Sequence, residues 1–221
     1  MRLFEPLAPK TRLKPLFFGI SGLFFVEENV YNSPNMATKG HLFILSGPSG
    51  VGKGTVRKEL MKDPSLRLFY SVSMTTRSPR PGEVDGKDYY FVTPEQFDDN
   101  LRRGNLLEWA EFVGNRYGTP KDKVEEMLCS GKNVLLEIEV NGTMEVLAKC
   151  PDAISIYLMP PSFAALEARI RGRSTESEEI IEQRLAKARH ELTMGDKYKY
   201  RVENDDVLRA ASEIAAIIKA A

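Results

Sequence analysis

Histidine and cysteine are scarce in this sequence: His41 and His190, Cys129 and Cys150, among 221 residues. Neither cysteine stands in a Cys-x-x-Cys pair or beside a histidine. Zinc chemistry and thiol catalysis therefore have no residue basis, and two reduced thiols are expected. Net charge is lacking as well, because 31 Lys and Arg balance 31 Asp and Glu. Nothing global argues for nucleic acid or an anionic membrane as partner, so any anionic ligand must be held by local groups of Arg and Lys. The apolar run from Leu16 to Val26 is too short to span a bilayer. No internal repeat or low-complexity tract is present. What remains is ordinary globular chemistry, 42% apolar and 28% charged, with length for one full-sized domain.

The first 35 residues differ from the rest. They start basic, with Arg2, Lys10, Arg12 and Lys14, and end their apolar run without a small-x-small cleavage site. An extension upstream of Met36 or a disordered arm, over residues 1–38, is expected here in preference to an organellar or secretory leader. A cytoplasmic location follows from that expectation.

Residues 46–55 read SGPSGVGKGT. Gly47 to Gly52 followed by Lys53 has the Gly-x-x-x-x-Gly-Lys spacing of a loop that cradles phosphates. Its backbone N–H groups converge on phosphate oxygens, and Lys53 reaches the β- and γ-phosphates as a point charge. The context agrees. HLFILSG before it is a short buried strand, and Lys53 to Met61 carries helical spacing with Val56 and Leu60 on one face. Gly54 stands where Ser or Thr would offer Mg²⁺ a hydroxyl.

Two further apolar runs, Asn133–Val140 and Ala153–Met159, read as buried strands. Helical stretches are expected over 120–130, 142–149, 162–171, 177–194 and 207–219. Buried strands alternating with helices predict an α/β fold: a parallel sheet covered on both faces, with ligands at the carboxyl ends of its strands. Residues 69–118 break the rhythm with two alternating strands, KDYYFV and LLEWAEF. Between them lies a short helix capped by Thr93 with Pro94 first and Gln96 completing a capping box. A small mixed sheet inserted into the core is expected.

Two more cationic groups accompany the loop. Arg77 and Arg80 lie three apart on a segment stiffened by Pro79 and Pro81. Such forks suit a second phosphate; in isolation the segment reads sooner as a solvated basic loop, and the phosphate loop beside it reverses that order. Arg169, Arg171, Arg173 and Arg184 surround RGRSTESEE, where Gly172, Ser174 and Thr175 suggest a mobile link between helices. Arginines on a closing lid neutralise a phosphoryl group in transit and exclude water; the alternative is an exposed helix end. An acceptor that is itself a phosphate monoester needs no strong general base, which suits a chain with two isolated histidines. Glu108 on LLEWAEF has a carboxylate that could accept from guanine N1–H and N2–H₂ together, although alone it reads as a solvated strand residue.

As a whole the pattern resembles the guanylate kinase family from about Lys39 to Lys219. The resemblance rests on GPSGVGKGT, SVSMTTRSPRPGEVDGKDYYF, LLEWAEFVGNRYGTP, LLEIEVNG, RGRSTESEEIIEQRL and NDD. It implies transfer of the ATP γ-phosphate to GMP, and to dGMP, with Mg²⁺ held mainly by phosphates and water. It implies a core over 39–72 and 119–221, a GMP-binding insert over 73–118 and a lid over 169–184. Lys53, Arg80, Arg173 and Arg184 are implied as catalytic. ATP falls to Gly47, Pro48, Ser49, Gly50, Val51, Gly52, Lys53, Gly54, Thr55, Arg169, Arg173 and Asn204. GMP falls to Ser73, Arg77, Arg80, Tyr89, Glu108, Tyr117, Thr119 and Glu139. Glu139 departs from the frequent Asp, and Asn141 from the frequent Gln. The rival readings are a non-catalytic binding module of the same shape and a kinase of another phosphorylated sugar or nucleotide. Neither nucleic acid nor membrane is expected as partner, and the oligomeric state is left open.

Overall fold

The computed structural model describes residues 38–111, 114–172 and 177–221, with residues 12–17, 23–28 and 112 described as backbone. Contacts divide the chain into Met1–Ala37 and Thr38–Ala221. In the first unit, where the sequence predicts an extension or disordered arm, β1 (Arg12–Phe17) pairs antiparallel with β2 (Leu23–Glu28).

The second unit begins with β3 (Leu42–Ser46), the phosphate-loop segment and α1 (Lys53–Leu60). It continues through β4 (Leu68–Tyr70), β5 (Met74–Thr75), β6 (Tyr90–Phe91), α2 (Pro94–Arg102), β7 (Leu106–Phe112) and β8 (Asn115–Pro120). Then come α3 (Lys121–Cys129), β9 (Asn133–Glu137), α4 (Val140–Lys149), β10 (Ile154–Met159) and α5 (Phe163–Arg171). α6 (Glu178–Leu192), β11 (Tyr200–Glu203) and α7 (Val207–Lys219) complete it. No helix among the described residues is long and apolar enough to cross a membrane.

Five strands form a parallel sheet in the order β11-β10-β3-β9-β4. All five residues of β3 are buried, because successive side chains feed opposite covered faces. Phe43 and Leu45 join a cluster with Val56 and Leu60 of α1, Leu166 of α5, Leu185 of α6 and Ile214 of α7. Leu42 and Ile44 join Val124 and Leu128 of α3 and Val146 of α4. Each such apolar side chain, fully buried, contributes roughly 1.5–3 kcal/mol.

The second sheet has the order β6-β5-β8-β7, with β5–β6 parallel and the other pairs antiparallel. This is the expected mixed insert, with β8 running two residues past its expected end at 118. α2 packs Phe97, fully buried, against Met74 and Leu106. The capping box forms as read: Thr93 accepts from the Gln96 amide, and the Gln96 side chain accepts from the Thr93 amide. The ladder between β7 and β8 slips between Leu106 and Trp109. That irregularity breaks strict alternation, so Leu106, Leu107 and Glu108 are all buried in succession.

Candidate functional site

The loop between β3 and α1 leaves the carboxyl end of the central strand, where parallel sheets bind ligands. Gly52 is the N-cap of α1 at φ 103°, and no side chain caps the helix; Thr55 and Val56 donate to the Gly52 carbonyl, which leaves the amides of Lys53 and Gly54 at the helix start available to an anion. A Cβ on Gly47 would fall 2.3 Å from the Leu158 carbonyl oxygen, so only glycine lets the loop start there. Gly47, Ser49, Gly50, Gly52, Lys53, Gly54 and Thr55 line a cavity of about 480 Å³. Pro48 accepts at its carbonyl from Lys53, and Val51 is buried beneath the loop.

The Lys53 ammonium donates to the carbonyls of Gly47 (2.6 Å) and Pro48 (3.2 Å). Burial lowers its pKa from the ordinary lysine value, against the opposing fields of Glu137, Glu191 and Glu139. Glu137 and Glu191 are site residues that the motifs do not single out. Glu137 accepts from Arg57 Nε at 2.8 Å, and that guanidinium lies 4.0 Å from the centre of the Tyr70 ring. Burial, reinforced by Glu137, pushes the Tyr70 phenol up to about 12. Glu137 does have a signal: it precedes Glu139 by two residues at a strand end, which places both carboxylates on one side.

A second cavity, of about 530 Å³, lies by the insert and is lined by Ser73, Tyr89, Glu108, Tyr117 and Glu139, with Asn141, Gly142 and Lys187. Glu137, Ile138 and Glu139 line both cavities, so the two share a wall at the end of β9. Glu108, expected from its sequence alone to be solvated, is 7% exposed. Its Oε1 accepts from the Thr119 hydroxyl at 2.5 Å. Gly142 allows the carboxylate its place, since a Cβ there would fall 2.7 Å from Glu108 Oε2. Burial raises the Glu108 pKa, and the Thr119 hydrogen bond works the other way. Lys149 donates to the carbonyls of Leu106 and Leu107, tying α4 to this bend in β7.

Arg77 is fixed beside the second cavity. It donates to Glu83 at 2.8 Å and lies 5.4 Å from the Tyr89 ring centre, while Tyr89 packs edge-on against Tyr117. Glu83, which also accepts from the Arg80 amide, is another residue that no motif picks out. The Arg80 side chain is exposed and lines neither cavity. Glu139 occupies the N-cap position of α4, and its carboxylate accepts from Lys187 of α6 at 2.8 Å.

Near the other end of the loop, Asn204 and Arg169 line a third cavity of about 410 Å³ with Gly50, Gly52, Thr55, Gly172 and Val207. Asn204 Nδ2 donates to the Val51 carbonyl at 2.8 Å, and its buried Oδ1 has no partner among the described residues. Arg169 donates to the carbonyls of Val51 and Asn204. Arg184 donates to the Ser49 hydroxyl at 3.2 Å. Arg171, grouped with these in the sequence, is instead held by Glu167, Glu178 and Glu182 and joins α5 to α6. Arg173 lies outside the described residues.

No cluster of three or more His, Cys, Asp or Glu suited to a metal ion occurs among the described residues. Gly54 lines the first cavity together with Glu137, whose Oε1 stands 3.5 Å from where a Cβ on Gly54 would be, so a divalent cation over the loop would have a carboxylate beside it.

A model of the guanylate kinase family matches residues 39–221. A guanylate kinase of Bacillus cereus is 55% identical over 180 residues, 81% of this chain and 88% of the relative. That of Lactiplantibacillus plantarum is 53% identical over 184 residues, 83% of this chain and 89% of the relative. The crystal structure of guanylate kinase from Anaplasma phagocytophilum superposes with a TM-score of 0.66 at 34% identity, covering 83% of this chain and 86% of that one.

Proposed function

The chain belongs to the guanylate kinase family, and on that premise we propose a residue-level account of how it transfers the γ-phosphate of ATP to GMP, giving ADP and GDP. The observation that carries the account is the pair of cavities sharing the Glu137–Glu139 wall, one built on a phosphate loop and the other on a buried carboxylate.

ATP lies with its triphosphate over residues 47–55 and its adenine by Asn204 and Arg169. The unpartnered Oδ1 of Asn204 suits the adenine amino group as donor. GMP lies in the second cavity. Glu108 accepts from guanine N1–H and N2–H₂, Thr119 orients Glu108, and Glu139 stands at the cavity wall. Adenine offers an acceptor at N1, so it would leave the carboxylate opposed and unpaired. dGMP keeps the same base and is expected to serve too. Ser73, Tyr89, Tyr117 and Arg77 hold the GMP phosphate. Arg80 joins them when the insert (73–118) closes over the core (39–72 and 119–221), and the lid (169–184) brings Arg173 over the donor beside Arg184, which already reaches Ser49.

A GMP phosphate oxygen attacks the γ-phosphorus, and the bond from that phosphorus to the β–γ bridging oxygen breaks, leaving ADP. The attacking oxygen is already anionic, so no general base is required. Lys53, Arg80, Arg173 and Arg184 spread the charge of the phosphoryl group in transit. Gly54 and Thr55 would border a Mg²⁺ ion brought in with ATP, which would supply charge neutralisation when bound. A cytoplasmic location suits this use of ATP and the two free thiols.

An ADP-release assay comparing GMP, dGMP, AMP and ribose 5-phosphate tests the acceptor assignment. GMP and dGMP should turn over, with AMP lower by roughly 10³-fold or more in kcat/KM. Comparable turnover of AMP or the sugar phosphate would contradict the guanine-reading role of Glu108.

A further inference from the structure

One face of α6 touches both cavities through residues at spacing i, i+3, i+7. Arg184 donates to the Ser49 hydroxyl at 3.2 Å. Lys187 lines the acceptor cavity and pairs with Glu139 at 2.8 Å. Glu191 lines the donor cavity, and its Oε2 accepts from the Ser49 amide at 3.3 Å. Lys187 Nζ stands 4.0 Å from Glu191 Oε1. Ser49 is thus gripped twice by one helix, at its hydroxyl and at its N–H.

A carboxylate is an unexpected neighbour for a polyphosphate, which it repels. Glu191 is 6% exposed, so its charge is also costly to bury. Its neighbours answer both points. Glu191 commits one oxygen to a loop amide, and its own carbonyl accepts from the Tyr157 hydroxyl of β10 at 2.7 Å. The residue is therefore fixed at side chain and backbone alike. Its position makes sense as a brace on the loop.

We propose that Glu191 is a positioning residue for phosphoryl transfer: it orients the Ser49 end of the phosphate loop and, through Lys187 and Glu139, holds that loop in register with the acceptor cavity. This rests on reading residues 47–55 as the donor-phosphate loop. The requirement is for an oxygen at the right reach, so length should matter more than charge.

Glu191→Ala, Glu191→Asp and Glu191→Gln test this through kcat, both KM values and thermal midpoints. Ala removes the acceptor and Asp falls short of it. Both should lower kcat/KM for ATP by roughly 10-fold, the worth of one hydrogen bond, while KM for GMP moves by less than about threefold. Glu191→Gln, which keeps an oxygen, should recover most of the loss. The proposal is overturned if Asp or Ala retains the parent's kcat/KM for ATP, if Gln is as poor as Ala, or if only the thermal midpoint moves. Should Ala fail to fold, Asp against Gln decides alone. Calorimetric ATP binding by the parent and by Lys53→Met checks the loop separately: equal affinity would fail the donor-loop reading, whatever Glu191 does.

Discussion

Burial raises the Glu108 carboxyl above its ordinary value, with the Thr119 hydroxyl opposing. The folded protein then holds that proton more tightly than the unfolded chain. Its contribution to stability is fullest below the ordinary carboxylate pKa and is lost as pH rises through the raised one. An ionised carboxylate at this buried position costs stability, a cost that GMP binding would offset on the proposed reading. Glu108→Gln should therefore melt no lower than the parent at neutral pH, yet raise KM for GMP by roughly 10- to 100-fold, the loss of a charged acceptor. Melting curves beside KM values for both substrates check this. A lower midpoint with unchanged KM for GMP would refute it. The identities of Glu108 and Thr119 are legible in the sequence, whereas their hydrogen bond and the bend that buries Glu108 are not. Alternation in LLEWAEF fixes which residues share a face only while the ladder keeps register, and here it slips between Leu106 and Trp109. Lys187 and Glu191 are invisible for another reason: on a charged helix, nothing in the spacing tells a site-facing lysine or glutamate from a solvated one.

Elements with strong local signals appear where the sequence puts them. α7 has its expected bounds, 207–219, set by the Asp206 cap, whose side chain accepts from the Arg209 amide. α2 has its capping box. β9, expected over 133–140, ends at Glu137, and α4 starts at Val140 with Glu139 as N-cap. Ile138 and Val140 are buried although both lie beyond the strand end, so apolar content alone could not place the boundary. KDYYFV yields two strand residues, Tyr90–Phe91. β4 and β11, short edge strands of the parallel sheet, carry no buried run long enough to announce them. The cap of α2 gives a prediction at this scale. Thr93→Ala should cost about 1 kcal/mol, lowering the thermal midpoint by roughly 2–4 °C. α2 supports the insert through Phe97 and through an ion pair from its Asp98 to Arg116 of β8. A calorimetric scan reads the shift; an unchanged midpoint would mean that α2 forms without its cap.

At the scale of the molecule, neutrality overall conceals strong local fields, with cations and carboxylates concentrated where β3 and β9 end. The resemblance identifies the chemistry because its motifs fall in order along the chain, and the parallel sheet gathers their strand ends on one side. The sequence does not reveal that two cavities share the wall Glu137–Glu139. That wall is formed by a strand end and a helix start, adjacent in the chain, and each of its residues faces both cavities. The most direct measurement is a crystal structure of this chain with adenosine and guanosine joined through five phosphates. The account predicts guanine against Glu108 and Thr119, adenine against Asn204, and the phosphate chain running past Lys53 and Ser49. Guanine bound away from Glu108, or phosphates that bypass the loop, would contradict it.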